Sequence, residues 1–370
     1  MAYQASSDSV RGKAAVVNLL AQWYKKEKQF DLYLSMAKEF RSDFPNDNLS
    51  FNFILDALYV GGDIEKVEQE LRRFIAQNLT DTIYRYKLVS LLAKQEQRYN
   101  DFISELQKIE KITPASSRPL TVKVKYFLDK KDYQKALVLV NQAKARFPKS
   151  VVGDKLAGEM YKSMGLIDES ILAYESAFKK QPERHFLVAL IDVLNKGGRY
   201  KRAKELLLLE LEKSPGDFSL QLKLGQIYIQ MKQHSLAISL YEKLLKLQPK
   251  NTLVLNDLAW LYMLTDNVKA LELSERAYLI APKSWVVVDT YGVILLKYGK
   301  NKQGLVVLLQ ALALNESNLM VHFHLAQAYV SNHQKQKAVN QLKAVIDRQW
   351  SSKLVHKEAK KLLMQLQSDR

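Results

Sequence analysis

The stretch FSLQLKLGQIYIQMKQHSLAISLYEKLLKLQPKN, residues 218–251, decides the fold. Leu224, Gly225 and Tyr228 fall on one helix, and Ala237, Tyr241 and Leu244 on the next. Gly225 and Ala237 are small, so two antiparallel helices can approach closely there. Tyr228 and Tyr241 fill the space around those contacts. Pro249 closes the unit, because proline cannot continue a helix and pushes the residue before it out of the α region.

The unit recurs. Prolines stand at 45, 114, 148, 182, 215, 249 and 282, and the steps from 114 onward are 34, 34, 33, 34 and 33. The gap from 45 to 114 is 69, two units plus one residue, and continuing by 34 reaches Glu316 and Trp350. Only Pro119 lies outside the series. Such a period means an array of small units that bury their faces on their neighbours. At positions 7, 8, 11, 20, 24, 27 and 32, residues 218–251 resemble the tetratricopeptide repeat. Good copies follow at 151–184 (Gly158, Tyr161, Tyr174, Ala177), 252–284 (Leu258, Ala259, Tyr262, Ala270, Ala277), 285–318 (Gly292, Gly304, Leu308, Ala311) and 319–352 (Leu325, Ala326, Tyr329, Ala338). The unit 117–150 keeps Ala136 and Ala143, while 185–217 has Asp192 where a small residue is expected. Units 14–47, 48–81 and 82–116 are degenerate, with Tyr33, Leu55, Val67, Val89 and Phe102 at tight positions.

The expected architecture is therefore all-α: a right-handed superhelical tetratricopeptide solenoid of about ten helix pairs with a C-terminal capping helix. Residues 1–13 read as an N-terminal tail, 14–116 as degenerate repeats, 117–352 as repeats and 353–370 as the cap. The cap carries Leu354, Val355, Ala359, Leu362, Leu363 and Leu366 on one face and lysines on the other. The N-terminal end shows no comparable cap, which leaves truncation and self-association open.

Composition agrees. Apolar residues make up 47% of the 370, with only 13 Gly and 8 Pro, which favours helices over strands and tight turns. Cysteine is absent, excluding disulfides, thiolate metal sites and a Cys nucleophile. Apolar runs such as 305–314 reach about ten residues, against the ~20 that span a bilayer, so no transmembrane segment is expected. No signal peptide is evident, which implies a cytoplasmic protein or a mature or truncated form of an exported one.

Motifs for chemistry are lacking. His322 and His324 are two apart, face different sides of a helix and read as surface or groove histidines. There is no phosphate loop and no G-x-S-x-G elbow. The dispersed carboxylates read as solvated helix faces. The expectation is no enzyme, no cofactor and no metal.

The formal charge of +17 is uneven: residues 1–116 hold 16 basic and 16 acidic residues, and 117–370 hold 40 and 23. This reads either as a solubilising face or as attraction to acidic protein, anionic polysaccharide or lipid headgroups. Nucleic acid is disfavoured, because the Tyr and Pro pattern is that of protein-binding repeats.

In this repeat, positions 2, 5, 9 and 12 line the concave face. They supply Arg118, Lys125, Lys155, Glu159 and Lys162 in the centre, then Gln226, Asn256, Trp260, Asp289, Val293 and Gln327. Lys125, Lys155 and Lys162 form a basic centre suited to acidic partners. Trp260 lies off the stripe of Leu255, Leu258, Ala259 and Tyr262, so it is either a peptide anchor or covered by the next repeat. No three consecutive units carry the Lys, Asn and Arg set with which related repeats clamp chaperone C-termini.

The strings LNDLAWLY (255–262), KALELSERAYLIAP (269–282), VVVDTYGVILLKYGK (286–300), GLVVLLQALAL (304–314) and VHFHLAQAYV (321–330) narrow the resemblance. Residues 252–346 resemble the C-terminal repeats of the tetratricopeptide lipoproteins that accompany the bacterial exosortase/PEP-CTERM sorting system and its exopolysaccharide locus. That family's lipid-bearing Cys and further repeats are not in this sequence. The resemblance implies an envelope protein, periplasmic or associated with the outer membrane, and names no ligand residue. The expected function is a protein-interaction scaffold that binds a partner segment in the groove. The alternatives are an anionic exopolysaccharide-binding module and a cytoplasmic adaptor or nucleic-acid binder.

Overall fold

The computed structural model describes residues 2–45, 47–347 and 353–368. Among these the regular elements are twenty-one α-helices and one 3₁₀ turn. They form two compact units, Met1–Gln181 and Pro182–Arg370.

The first unit holds five antiparallel pairs. They are α1 (Ala2–Lys26) with α2 (Phe30–Asp43), α3 (Asn48–Val60) with α4 (Ile64–Gln77), α5 (Thr82–Leu92) with α6 (Tyr99–Ile112), α7 (Arg118–Asp129) with α8 (Tyr133–Arg146), and α9 (Val152–Met164) with α10 (Ile167–Lys180). The second holds α11 (Arg184–Lys196) with α12 (Tyr200–Lys213), α13 (Phe218–Gln230) with α14 (His234–Leu247), α15 (Thr252–Leu264) with α16 (Lys269–Ile280), α17 (Trp285–Lys297) with α18 (Asn301–Leu314), and α19 (Leu319–Ser331) with α20 (Lys335–Ile346). The closing helix α21 (Lys353–Ser368) packs on α19 and α20 and fully buries Ala359, with Lys357, Lys360 and Lys361 outside. The ten pairs and the cap are those read from the sequence. The boundary expected at Trp350 lies outside the described residues.

Local chemistry fixes the ends. Every residue that precedes a repeat proline leaves the helix in the same way; Phe147 has φ −127° and ψ 59°, and Gln248 has −132° and 80°. Asn78 (−131°, 67°) and Asn315 (−152°, 80°) take nearly that conformation where proline is missing. Asp47, Asp63, Asp81, Asp132, Asp217, Asn251 and Asn318 cap helix N-termini by accepting backbone N–H bonds. The turn inside each pair needs one left-handed residue. Glycine supplies it at Gly62, Gly165, Gly198 and Gly299, while Lys28, Lys131, Lys232, Asp266 and His333 adopt it at a cost. The third pair instead inserts a 3₁₀ turn, Glu96–Arg98.

Three pairs close on a glycine set against a large side chain. A Cβ on Gly225 would lie 2.8 Å from the Tyr241 ring, one on Gly158 2.8 Å from Tyr174, and one on Gly292 2.6 Å from Leu308. Elsewhere the sizes are redistributed: in the first pair fully buried Tyr33 stands at the usually small position and Ala37 at the usually large one. Successive pairs are tied at their ends. Arg146, Lys180 and Arg276 donate to the carbonyls of Pro114, Pro148 and Pro249, one unit back.

Four expectations are corrected. Residues 2–13 are not a separate tail but the start of α1, which runs unbroken through Gly12, its weakest helix former at ~1 kcal/mol relative to Ala. In 185–217 the small-residue position belongs to Ile191, not Asp192. The loop between Pro182 and α11 is one residue short, so the register moves by one. Ile191, Ala203 and Leu207 are all buried, whereas exposed Asp192 accepts from Lys223 Nζ at 2.5 Å. His322 and His324 are not surface or groove residues; each is 9% exposed. His322 meets Gln341 Oε1 at 2.6 Å and the Glu316 carbonyl at 2.9 Å, while His324 Nδ1 meets Asp289 at 2.8 Å. Several carboxylates are also buried rather than solvated. Glu105 pairs with buried Arg85 at 2.9 Å, and Asp154 with Lys180 at 2.7 Å.

Candidate functional site

In the second unit, first helices of successive pairs pack on one another, α15 on α17 and α17 on α19. Among the described residues no comparable packing joins successive second helices. The first helices therefore form the inner side of this stack. On it lies a pocket of about 310 Å³ that draws on four of them in turn. Asn195 comes from α11; Gln226, Ile229 and Gln230 from α13; Asn256, Asp257 and Trp260 from α15; Thr290 from α17.

Its geometry follows from the repeat contact. Gly225 admits the Tyr241 ring, and the ring carries its hydroxyl to Asp257 Oδ2, 3.0 Å away. Burial first, then the neighbouring carboxylate, holds the Tyr241 phenol protonated far above its ordinary range, so it donates. Burial likewise pushes the Asp257 carboxyl up, against the opposing bonds from Tyr241 and Asn256. Asn256 Nδ2 points to Asp257 Oδ1 at 3.4 Å, and Asn256 Oδ1 is buried without a partner. Trp260 is half-buried, with part of its surface against the core around Tyr241 and part on the pocket.

The structure thus brings Gln226, Asn256 and Trp260 together. It does not bring Asp289 and Gln327 to them: Asp289 is turned to His324, and Gln327 is exposed on α19. Val293 packs against the core. In the first unit Lys155 faces Glu159 on its own helix at 3.9 Å, while Lys125 and Lys162 are exposed. Arg118 belongs to another pocket, about 540 Å³, where its guanidinium lies 4.0 Å from the Tyr86 ring centre. Lys87 and Lys94 share that pocket and donate to Asn52 at 2.5 Å and to Tyr59 at 2.9 Å. The Tyr86 hydroxyl there is buried and unpartnered.

The sequence reading missed Lys87, Lys94, Asn195, Asp257 and Thr290. Asp257 and Thr290 both stand at position 6 of their units, next to the positions counted as groove-lining. Asn195 stands at position 12 once the shifted register of its unit is applied. Among the described residues no cluster of three or more His, Asp or Glu could hold a metal ion, and no helix is long and apolar enough to cross a membrane.

Comparison with known proteins places this geometry. The tetratricopeptide repeat profile matches residues 218–251. No curated protein matches the chain, so the resemblance of 252–346 to the exosortase-associated lipoproteins rests on those residues alone. A tetratricopeptide repeat protein from Parabacteroides merdae is similar over 67% of this chain and 98% of its own, at 19% identity and a TM-score of 0.56. The Cut9–Hcn1 structure from the APC/C hetero-tetramer is similar over 95% of this chain and 76% of that one, at 16% identity and a TM-score of 0.53. At these identities the likeness is one of fold. One unit, residues 218–251, is matched by sequence as a tetratricopeptide repeat, its contacts recur along both halves, and the chain has the fold of tetratricopeptide-repeat proteins.

Proposed function

We propose that the second unit binds an extended segment of a partner protein along its first helices, with Gln226, Asn256 and Trp260 at the anchor. The observation that carries this is the single pocket spanning α11, α13, α15 and α17, with a half-buried tryptophan in its wall. A ring already held on one side loses little conformational freedom when a ligand covers the other. The setting we propose, from the resemblance of residues 252–346 alone, is a bacterial envelope assembly linked to exopolysaccharide or PEP-CTERM protein sorting.

A photo-cross-linking amino acid at Gln226 tests the groove, with one at Lys243 on α14 as the outer control. A partner segment should be captured from the source cells at Gln226 and not at Lys243, and Trp260→Ala should abolish its capture. Capture at both positions, indifferent to Trp260→Ala, would refute groove binding. Fractionating the cells tests the setting; recovery only in the cytoplasm would refute it.

A further inference from the structure

Asp257 is the only ionisable group among the residues that line the second-unit pocket, in a chain of net charge +17. Around it stand amides, one hydroxyl and the Trp260 ring. No Lys, Arg or His pairs with Asp257 among the described residues. Its partners are the Tyr241 hydroxyl on Oδ2 and the long Asn256 contact on Oδ1. Beside it, Asn256 is only 8% exposed and its Oδ1 has no donor. The orientation of that amide follows from chemistry: its NH₂ must face the carboxylate, which leaves the oxygen as the free end. The pocket therefore offers two adjacent acceptors short of donors, one of them charged. Such groups are costly to leave unmet in a partly dry site.

We propose that this pocket takes a cationic side chain, a lysine or arginine, carried by the partner segment. The proposal rests on the groove reading above and names what the groove selects. An ammonium or guanidinium brings donors and no acceptors, so it can serve Asp257 Oδ1 and Asn256 Oδ1 together. Tryptophan is the aromatic best suited to face a cation. A glutamate would meet like charge, and an apolar side chain would leave both acceptors without donors. The raised proton affinity of Asp257 is what a buried carboxylate shows when its counter-cation is missing. The basic surface and the pocket then select differently: the surface acts on the whole partner at long range, and the pocket reads one residue of opposite sign to the surface's preference.

The test uses the full chain with ¹⁵N-labelled tryptophan and glycine–serine peptide amides that differ only in one central residue: Arg, Lys, Gln, norleucine or Glu. The readout is the Trp260 indole N–H signal, assigned with Trp260→Phe. The Arg and Lys peptides should shift it saturably, at least about tenfold tighter than the other three, the sum of a charge-assisted bond and a cation–π contact. Asp257→Asn keeps an acceptor for Tyr241 and should erase that preference, and Tyr241→Phe should keep a cation preference if Asp257→Asn were to disturb folding. The inference is overturned by equal binding of the Gln, norleucine or Glu peptide, by a preference unchanged in Asp257→Asn, or by no shift from any peptide. Cross-linking at Gln226 reads occupancy whatever the charge. Capture there without a cation preference would leave the groove standing and sink the basic anchor, whereas loss of capture would sink the groove itself.

Discussion

Replacing Gly225 by alanine asks whether the contact that builds the site is as tight as it looks. The new Cβ would lie 2.8 Å from Tyr241 Cζ and 3.1 Å from both Cε atoms. Carbon contacts settle at about 3.5–4.0 Å, so the ring must retreat by roughly 0.7 Å or more. It has little room, because Tyr241 is fully buried and its hydroxyl is held by Asp257. Overpacking of this kind costs about 1–3 kcal/mol, and the helix propensity gained from Gly to Ala returns about 1 kcal/mol. The expected net loss is about 0–2 kcal/mol. Tyr241→Leu alone should cost about 2–4 kcal/mol through the cavity it leaves.

The double variant decides the matter. Ala326 with Leu342 is the same pair as it occurs in the last repeat, both fully buried in one cluster. In the Tyr241→Leu background Gly225→Ala should therefore stabilise, giving a favourable coupling of about 1–3 kcal/mol. Long repeat arrays lose cooperativity, so a global melt can hide a local change. The measurement is urea-dependent hydrogen exchange read on α13 to α15. If Gly225→Ala alone stabilised by the full propensity term, with no coupling to Tyr241→Leu, the packing argument would fail. Binding should not follow stability here: the double variant regains packing but has lost the hydroxyl that holds Asp257, so affinity for a basic peptide should fall below that of the wild type while a cation is still preferred.

Three further outcomes are expected. Lys232 sits at φ 58° and Gly299 at φ 77° in equivalent turns, so Lys232→Gly should stabilise by about 0.5 kcal/mol and Gly299→Ala should destabilise by about 1 kcal/mol in thermal unfolding. Glu105→Ala leaves buried Arg85 without its carboxylate and should cost about 3–5 kcal/mol, read by exchange in α5 and α6, whereas replacing both residues by leucine should recover most of that. Glu68 accepts from Arg98 at 2.9 and 3.1 Å and from Arg72 at 2.8 Å, and the Arg98 bonds chiefly hold its carboxyl below the ordinary range. A depressed folded value stabilises above the unfolded carboxylate range and is lost as pH falls through the folded one, so acid should loosen α4 to α6 in the wild type and much less in Glu68→Gln.

Proline spacing made the pairs legible, since each proline marks the end of a second helix through a backbone constraint that no context overrides. Spacing counts insertions and deletions but does not say where they fall. The step of 33 from Pro182 to Pro215 loses its residue in the loop before α11, which moved Asp192 off the tight position. The equal step from Pro249 to Pro282 loses it instead between the helices, where Ala259 and Ala270 are eleven apart rather than twelve. The extra residue between Pro45 and Pro114 sits at the 3₁₀ turn. Buried polar pairs were illegible for another reason. Arg85 and Glu105 are 20 residues apart and His324 and Asp289 are 35 apart, and hydrophobic periodicity carries no information about which charges meet across helices.

The same limits explain why a periodic fold carries its chemistry at one place. A buried tyrosine at a tight position of the repeat is a packing residue, but its hydroxyl must also go somewhere. In the first pair Tyr33 donates to Asp56 at 2.6 Å, and that carboxylate is already neutralised by Lys25. In the last repeats Leu308 has no hydroxyl to offer, and the residue sixteen further on, His324, is satisfied by Asp289. Between them Tyr241 holds Asp257, which has no cation of its own and shares a wall with the free oxygen of Asn256 and the face of Trp260. The contact that closes the repeat at 218–251 thus aims a carboxylate from the following repeat into the inner face. That coupling ties Gly225, a residue remote from any ligand, to the charge the pocket selects.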